Sequence, residues 1–248
     1  INPSQSVISL GTSGVYFSPI KNFISNTNEA VHSFCHCVPD TWHHMSVMLS
    51  ATNCIDWASK MFDLNIQDTM AKIENFSNEN FKINSTPYFL PYLTGERTPY
   101  NNPYLRGSLH MLSTSTSIEA IMYSVIEGIS FGIKDGFEAV HSVSPKSSEI
   151  YLVGGGSKSS FWTNLITSTL NQPILIGQDA ELGPALGVAR LAMLATKDYK
   201  KEDVIKSMQI LKKCNISEKL SARLHKRYEN WKKIVNTNES IAKSLMEE

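Results

Sequence analysis

The sequence of 248 residues predicts an α/β domain followed by a polar helical tail. Three observations carry that expectation. Short β-prone runs bracket a glycine-rich turn near the start, a long run of helical apolar spacing covers about 117–143, and strand-like and helix-like segments alternate from 150 to 195. The expected boundary lies between a domain at 1–196 and an extension at 197–248.

Taken in order, Val7-Ile8-Ser9-Leu10 and Val15-Tyr16-Phe17 flank Gly11-Thr12-Ser13-Gly14 and predict a hairpin with a tight polar turn. His32 to Cys37 and Trp42 to Ser46 are β-like. From Val47 to Phe62 the apolar positions Val47, Leu49, Ala51, Cys54, Ile55, Ala58 and Phe62 fit helical spacing, and a second helix is expected over Ile66 to Phe76. Residues 77–86, rich in Asn and Ser, predict a loop. Tyr88 to Tyr92 is a short apolar run ended by Leu93-Thr94-Gly95-Glu96-Arg97-Thr98-Pro99.

Ser117 to Val143 predicts a long helix with hydroxyl caps and Glu119 in its first turn. Ile150 to Val153 then reads as a buried strand, Gly154 to Gly156 as a turn, Phe161 to Leu170 as a helix, Pro173 to Ile176 as a strand and Gly183 to Ala195 as a helix. In Lys200 to Glu248 the residues Leu220, Leu224, Tyr228, Trp231 and Val235 form an apolar stripe, while Lys212–Lys213 and Lys232–Lys233 suggest a solvated face. The stripe fits either of two partners, the domain itself or a second subunit in a homodimer.

Composition narrows the function classes. Hydrophobic residues make up 42% and charged residues 19%, an ordinary globular balance. Lys plus Arg equals Asp plus Glu at 23 each, so nothing in the charge favours nucleic acid or an anionic membrane as principal partner. A small nucleotide stays admissible, because backbone amides and a helix dipole hold phosphate without many cations. No run is long and apolar enough to cross a bilayer and no signal-type segment stands at the start, and an opening at Ile1 rather than Met suggests an excised fragment. Cys35, Cys37, Cys54 and Cys214 lack the second ligand pair of a zinc site, so buried free thiols in a reducing cytoplasm are expected and no metal site is predicted.

Four segments carry candidate chemistry. In Gly11-Thr12-Ser13-Gly14, glycines and hydroxyls between strands turn amides toward an anion; an ordinary β-turn has the same composition. In Gly154-Gly155-Gly156-Ser157-Lys158-Ser159-Ser160, a strand delivers a flat, Cβ-free floor to the start of a helix, where a purine or ribose could rest. Close helix–strand packing with Ser159 or Ser160 as cap is the other reading. The glycine spacing is not that of a dinucleotide fold or a Walker A loop. The small residues of Gly183-Pro184-Ala185-Leu186-Gly187 predict a helix that approaches a neighbour closely. Glu96 and Arg97, on a proline-stiffened loop with Arg106, fit either a charged group at a cleft or a structural ion pair.

These segments occur in one order with His32-Ser33-Phe34-Cys35-His36, Trp42-His43 and Met45-Ser46-Val47-Met48-Leu49-Ser50-Ala51. Together, over about residues 4–195, they resemble the C-terminal half of the xylulokinases, within the carbohydrate kinases that include glycerol and gluconate kinases. The resemblance implies an actin-like, ribonuclease-H-like domain that closes on ATP against a homologous N-terminal domain. It places the terminal phosphates at Gly11, Thr12 and Ser13, and the adenosine at Gly155 and Gly156 with Ser157 and Ser160. Thr52 and Asp56 are implied further contacts.

It also implies Mg²⁺ with the ATP, transfer of a phosphoryl group to D-xylulose, and a catalytic Asp just upstream of the part matching this chain, so that this chain alone is inactive. A kinase for another sugar or polyol and a non-catalytic actin-like scaffold are the alternatives. One departure from the resemblance stands out: Met111 occupies a position where glycine is usual in the family, which puts the local turn and its contacts in doubt.

Overall fold

The strands that meet at the first glycine turn are the middle of a seven-stranded sheet. The computed structural model describes residues 4–79, 86–196, 198–204 and 208–245. Residues 77–79, expected to begin a loop over 77–86, instead continue the preceding helix to Glu79, whereas 80–85, the expected boundary at 197 and the last residues of the tail lie outside the described residues. The strands are β1 (Gln5–Leu10), β2 (Gly14–Ile20), β3 (His32–Cys35), β4 (Trp42–Met48), β5 (Tyr88–Leu90), β6 (Ser108–His110), β7 (Glu149–Val153), β8 (Ile174–Gly177) and β9 (Ile210–Cys214). Sheet order is β3-β4-β2-β1-β7-β8-β9, with β5 and β6 forming a separate antiparallel pair. β1 pairs antiparallel with β2 and parallel with β7, and β7 runs parallel to β8. This mixed sheet with its helices is the α/β architecture expected.

Alternation explains why β1 is a strand: Ser6, Ile8 and Leu10 are buried while Gln5, Val7 and Ser9 are half-buried. The helices are α1 (Thr52–Met61), α2 (Ile66–Glu79), α3 (Ile118–His141), α4 (Ser160–Leu170), α5 (Gly183–Thr196), α6 (Lys201–Val204) and α7 (Glu218–Ser244). α3 is the central one. Ser117 caps it by accepting from the Ala120 amide at 3.3 Å, and it packs on β2, β4, β5, α1, α2 and α4. Glycines let it lie this close, since a Cβ at Gly128 would stand 2.3 Å from the Phe89 carbonyl oxygen. No helix among the described residues is long and apolar enough to cross a membrane.

Several expectations need correction, and the first concerns the thiols: Cys54 and Cys214 are buried as expected, but Cys35 and Cys37 are exposed. The helix expected from Val47 to Phe62 starts at Thr52, because β4 runs on through Met48 with Val47 opposite Val15. Residues 42–48 alternate inward and outward, and that alternation shares its apolar positions with helical spacing. The tail is not wholly helical: β9 pairs antiparallel with β8, so Lys212 and Lys213 belong to a strand. Lys232 is not simply solvated, since its ammonium donates to Asp135 Oδ1 and to the Tyr100 hydroxyl, both at 3.0 Å. Among the described residues α5 has no buried residue and a Cβ added at Gly187 would meet nothing within 4 Å, so the close approach expected of its small residues is not seen.

The tail's apolar stripe packs on the domain. Leu224, Tyr228, Trp231 and Val235 are buried in the main core, and Trp231 Nε1 donates to the Phe89 carbonyl at 2.8 Å. The sheet and the core thus both continue past residue 196.

Met111 follows β6 with a φ of 64° and a side chain that is 72% exposed. Left-handed backbone costs a residue with a Cβ about 1–2 kcal/mol, and glycine returns part of that gain through unfolded-state entropy. Met111→Gly is therefore expected to raise stability by about 0.5–1 kcal/mol, read as a shifted urea midpoint at unchanged slope.

Candidate functional site

β1 and β7 are parallel neighbours with Ser9 opposite Val153, so the turns that follow them leave the same edge of the sheet side by side. This is where open α/β sheets present their loops to ligands. The two glycine segments are thereby brought together by topology, across most of the intervening sequence.

The first turn is organised around α1. The Gly11 carbonyl accepts from the Thr52 amide at 3.1 Å and from the Thr52 hydroxyl at 2.9 Å, while the Thr12 carbonyl accepts from the Ala51 and Asn53 amides at 2.9 and 3.5 Å. Ala51, at the N-cap, supplies no side-chain cap. The turn's carbonyls therefore take over the capping of α1. Of the turn's own amides, that of Gly11 donates within the turn to the Ser13 carbonyl at 3.0 Å. Among the described residues no backbone carbonyl accepts from Thr12 or Ser13, and Gly11, Thr12 and Ser13 are all exposed. Those free donors, backed by the N-terminal end of the α1 dipole, make a nest suited to an anion.

The second turn opens with Gly154 at φ 90° and ψ −179°, a conformation essentially confined to glycine. A Cβ there would lie 2.3 Å from the Leu10 carbonyl oxygen, and one at Gly156 would lie 2.7 Å from the Leu10 side chain. A Cβ at Gly155 would meet nothing within 4 Å, and this residue is exposed. Gly154 and Gly156 are thus glycines for packing, whereas Gly155 leaves a bare, open patch of main chain. Ser159 caps α4 by accepting from the Trp162 amide at 3.2 Å.

The other candidates are placed less directly. The Ser157 hydroxyl donates to the Gly154 carbonyl at 2.7 Å, and Ser160 Oγ accepts from Lys212 Nζ at 3.0 Å. Thr52 joins the first turn through its bond to Gly11, whereas Asp56 sits one turn further along α1, exposed, and among the described residues it makes no bond to either glycine turn. Two participants escaped the sequence reading. Lys158 Nζ pairs with Glu181 Oε2 at 2.5 Å, and Lys212 reaches Ser160 from β9. Both depend on partners distant in sequence, for which no local pattern gives a signal. Among the described residues no group of three or more His, Cys, Asp or Glu is arranged to hold a metal ion.

The proline loop braces this edge from behind. Glu96 turns inward: Oε1 accepts from the Leu49 amide at 2.9 Å and the Arg97 amide at 2.7 Å, while Arg97 is exposed. Among the described residues Glu96 has no ion-pair partner, so of the two readings of this loop the ion pair is not formed by Glu96, whose carboxylate takes amide bonds that fix the approach to α1. Burial pushes the Glu96 carboxyl up to about 8, the two amides oppose this, and the charge of Asp135 adds to the rise. A raised folded-state value means that the protonated form stabilises the fold. That contribution is complete below the ordinary carboxyl value of 4.5 and is lost as pH rises through about 8. Glu96→Gln keeps the amide-accepting oxygen and does not titrate. The variant is expected to gain on the parent by at most about 1.4 kcal/mol per pH unit across that window, measured by urea unfolding at a series of pH values.

Comparison with known proteins shows the family of this fold. The model of the C-terminal domain of the FGGY family of carbohydrate kinases matches residues 6–196. The chain belongs to that family. It is 38% identical over 200 residues to the xylulose kinase of Escherichia coli K12, covering 81% of this chain and 41% of the relative. It is 39% identical over 194 residues to the xylulose kinase of Klebsiella pneumoniae, covering 78% and 39%. The FGGY chain also superposes on a solved xyloylose kinase from Brucella ovis with a TM-score of 0.87 at 32% identity, covering 97% of this chain and 49% of the other. A gluconate kinase from Lactobacillus acidophilus, at 22% identity and a TM-score of 0.78, shares the fold. The chain corresponds to the C-terminal domain of that family, with the actin-like, ribonuclease-H-like fold, and spans half or less of the length of these relatives.

Proposed function

We propose that this FGGY chain is the nucleotide-binding half of a xylulokinase, an enzyme that phosphorylates D-xylulose to D-xylulose 5-phosphate. The observation that supports it is the juxtaposition, at one sheet edge, of the exposed Thr12 and Ser13 amides with the bare main chain at Gly155. An unfilled Cβ position beside unpaired amides suits a flat base joined to a polyphosphate.

In this reading Gly11, Thr12 and Ser13 receive the terminal phosphates, and Gly155 and Ser160 face the adenosine, with Gly156 packed on Leu10 and Ser157 bonded to Gly154 holding that turn from behind. Thr52 holds Gly11 in place and Asp56 flanks the phosphates. When bound, Mg-ATP supplies the phosphoryl group to be transferred. This chain's own contribution is to hold that group still and to offset its charge with amides fixed before binding, the electrostatic form of phosphoryl-transfer catalysis. The base that takes the sugar hydroxyl proton and most sugar contacts are assigned to the half that the relatives possess in addition.

Calorimetric titration with Mg-ATP, paired with a xylulose phosphorylation assay, tests the proposal. Expected are nucleotide binding by this chain alone and turnover only when the other half is supplied. Turnover by this chain alone would show that the base has been assigned to the wrong half.

A further inference from the structure

The turn that carries Gly155 and Gly156 is a single 3₁₀ turn, Gly155–Lys158, half of it glycine and therefore intrinsically loose. From inside, Ser157 closes it onto the Gly154 carbonyl through its amide at 3.1 Å and its hydroxyl at 2.7 Å. From outside, two attachments reach the same neighbouring segment, the 3₁₀ turn Ala180–Leu182 that opens into α5. At one end the Gly154 amide donates to the Ala180 carbonyl at 2.9 Å. At the other, Lys158 Nζ meets Glu181 Oε2 at 2.5 Å. Gly155, the open floor, lies between the two attachments.

The Lys158 and Glu181 side chains are 68% and 53% exposed, so the pair contributes little to global stability. Its position is what matters. We infer that Lys158 and Glu181 are positioning residues, an ionic strap that holds the Gly155–Lys158 turn in its nucleotide-receiving form. This rests on the reading of the two glycine turns as a nucleotide site and adds to it a pair of residues that touch the turn rather than the nucleotide. With the strap broken, the turn has to be ordered at the moment of binding, and affinity falls by that ordering cost. For an exposed pair, the expected loss is roughly two- to fivefold in Kd.

Charge reversal separates a strap from a simple field effect. ADP and ATP are polyanions, so a through-space effect would make Glu181→Lys bind more tightly and Lys158→Glu more weakly. A strap requires both single reversals to weaken binding, because each sets like charges against each other, and requires Lys158→Glu with Glu181→Lys to recover affinity.

The test is calorimetric titration of Mg-ADP into the 248-residue chain and its variants, together with amide hydrogen exchange of residues 155–158 without nucleotide. Expected are weaker binding by Glu181→Lys, recovery in the double variant, and faster exchange of the turn in Glu181→Gln. Tighter or unchanged binding by Glu181→Lys, a double variant as weak as the singles, or unchanged exchange would each overturn the strap. Gly155→Val keeps the two failures apart. If it binds Mg-ADP like the parent, or if the parent takes up none at millimolar concentration, the nucleotide reading itself is wrong and the strap falls with it.

Discussion

Arg227→Ala is expected to lower the unfolding free energy by about 3–5 kcal/mol, among the largest single-residue effects in this chain. Arg227 is fully buried, which a guanidinium tolerates only when its donors are matched. Its Nε and one terminal nitrogen grip the two oxygens of Glu127 at 2.7 and 2.6 Å, and its terminal nitrogens also donate to the Thr86 and Pro87 carbonyls. The guanidinium lies 4.2 Å from the centre of the Tyr88 ring. Alanine would leave Glu127, 1% exposed, without its counter-charge and would open a cavity between α3 and α7. The cost comes mainly from the stranded carboxylate. Replacing both partners with apolar residues of similar volume, Arg227→Met with Glu127→Leu, is therefore expected to return most of the lost stability. Urea unfolding of the singles and the double measures both statements. A single variant within about 1 kcal/mol of the parent would contradict this view of the pair.

Gly154→Ala is expected to cost about 3 kcal/mol and to abolish nucleotide binding as well. The backbone conformation alone disfavours a Cβ by about 1–3 kcal/mol. The added carbon would also stand 2.3 Å from the Leu10 carbonyl oxygen, a contact that backbone can relieve only by moving. Leu10 immediately precedes Gly11, so the shift that relieves the clash displaces the first glycine turn from the second. Gly155→Ala is the contrast. It meets no atom within 4 Å, so stability is expected within about 0.5 kcal/mol of the parent, while affinity for nucleotide falls because the new methyl occupies the open floor. Urea denaturation and Mg-ADP titration on the two variants distinguish a packing glycine from a binding one.

The elements that local chemistry encodes were legible in the sequence. The hairpin announces itself by alternation around Gly11-Thr12-Ser13-Gly14, α3 by caps and sustained periodicity, and the second turn by three consecutive glycines after an apolar strand. What was hidden depends on distant partners. Ile210-Leu211-Lys212-Lys213-Cys214 carries too little alternation to mark a strand, and it becomes one because β8 offers an edge. Arg227 looks like any cation on a polar helix until Glu127 is placed opposite it. The start of α1 was misplaced because Val47 and Leu49 fit both periods, and the exposure of α5 could not be foreseen from small residues whose spacing suits close packing. At the candidate site, the glycines that form the two turns could be named from sequence. The division of labour among them could not: Gly154 and Gly156 serve Leu10, and Gly155 alone faces open space.

The claim that most depends on this geometry is that two turns, far apart in sequence, receive one nucleotide. Backbone amide chemical shifts recorded while Mg-ADP is titrated into the chain test it residue by residue. Perturbations are expected to concentrate at 11–13 and at 154–157, saturating together with a single dissociation constant. Shifts confined to one turn, shifts elsewhere in the molecule, or two different saturation curves would contradict a shared site.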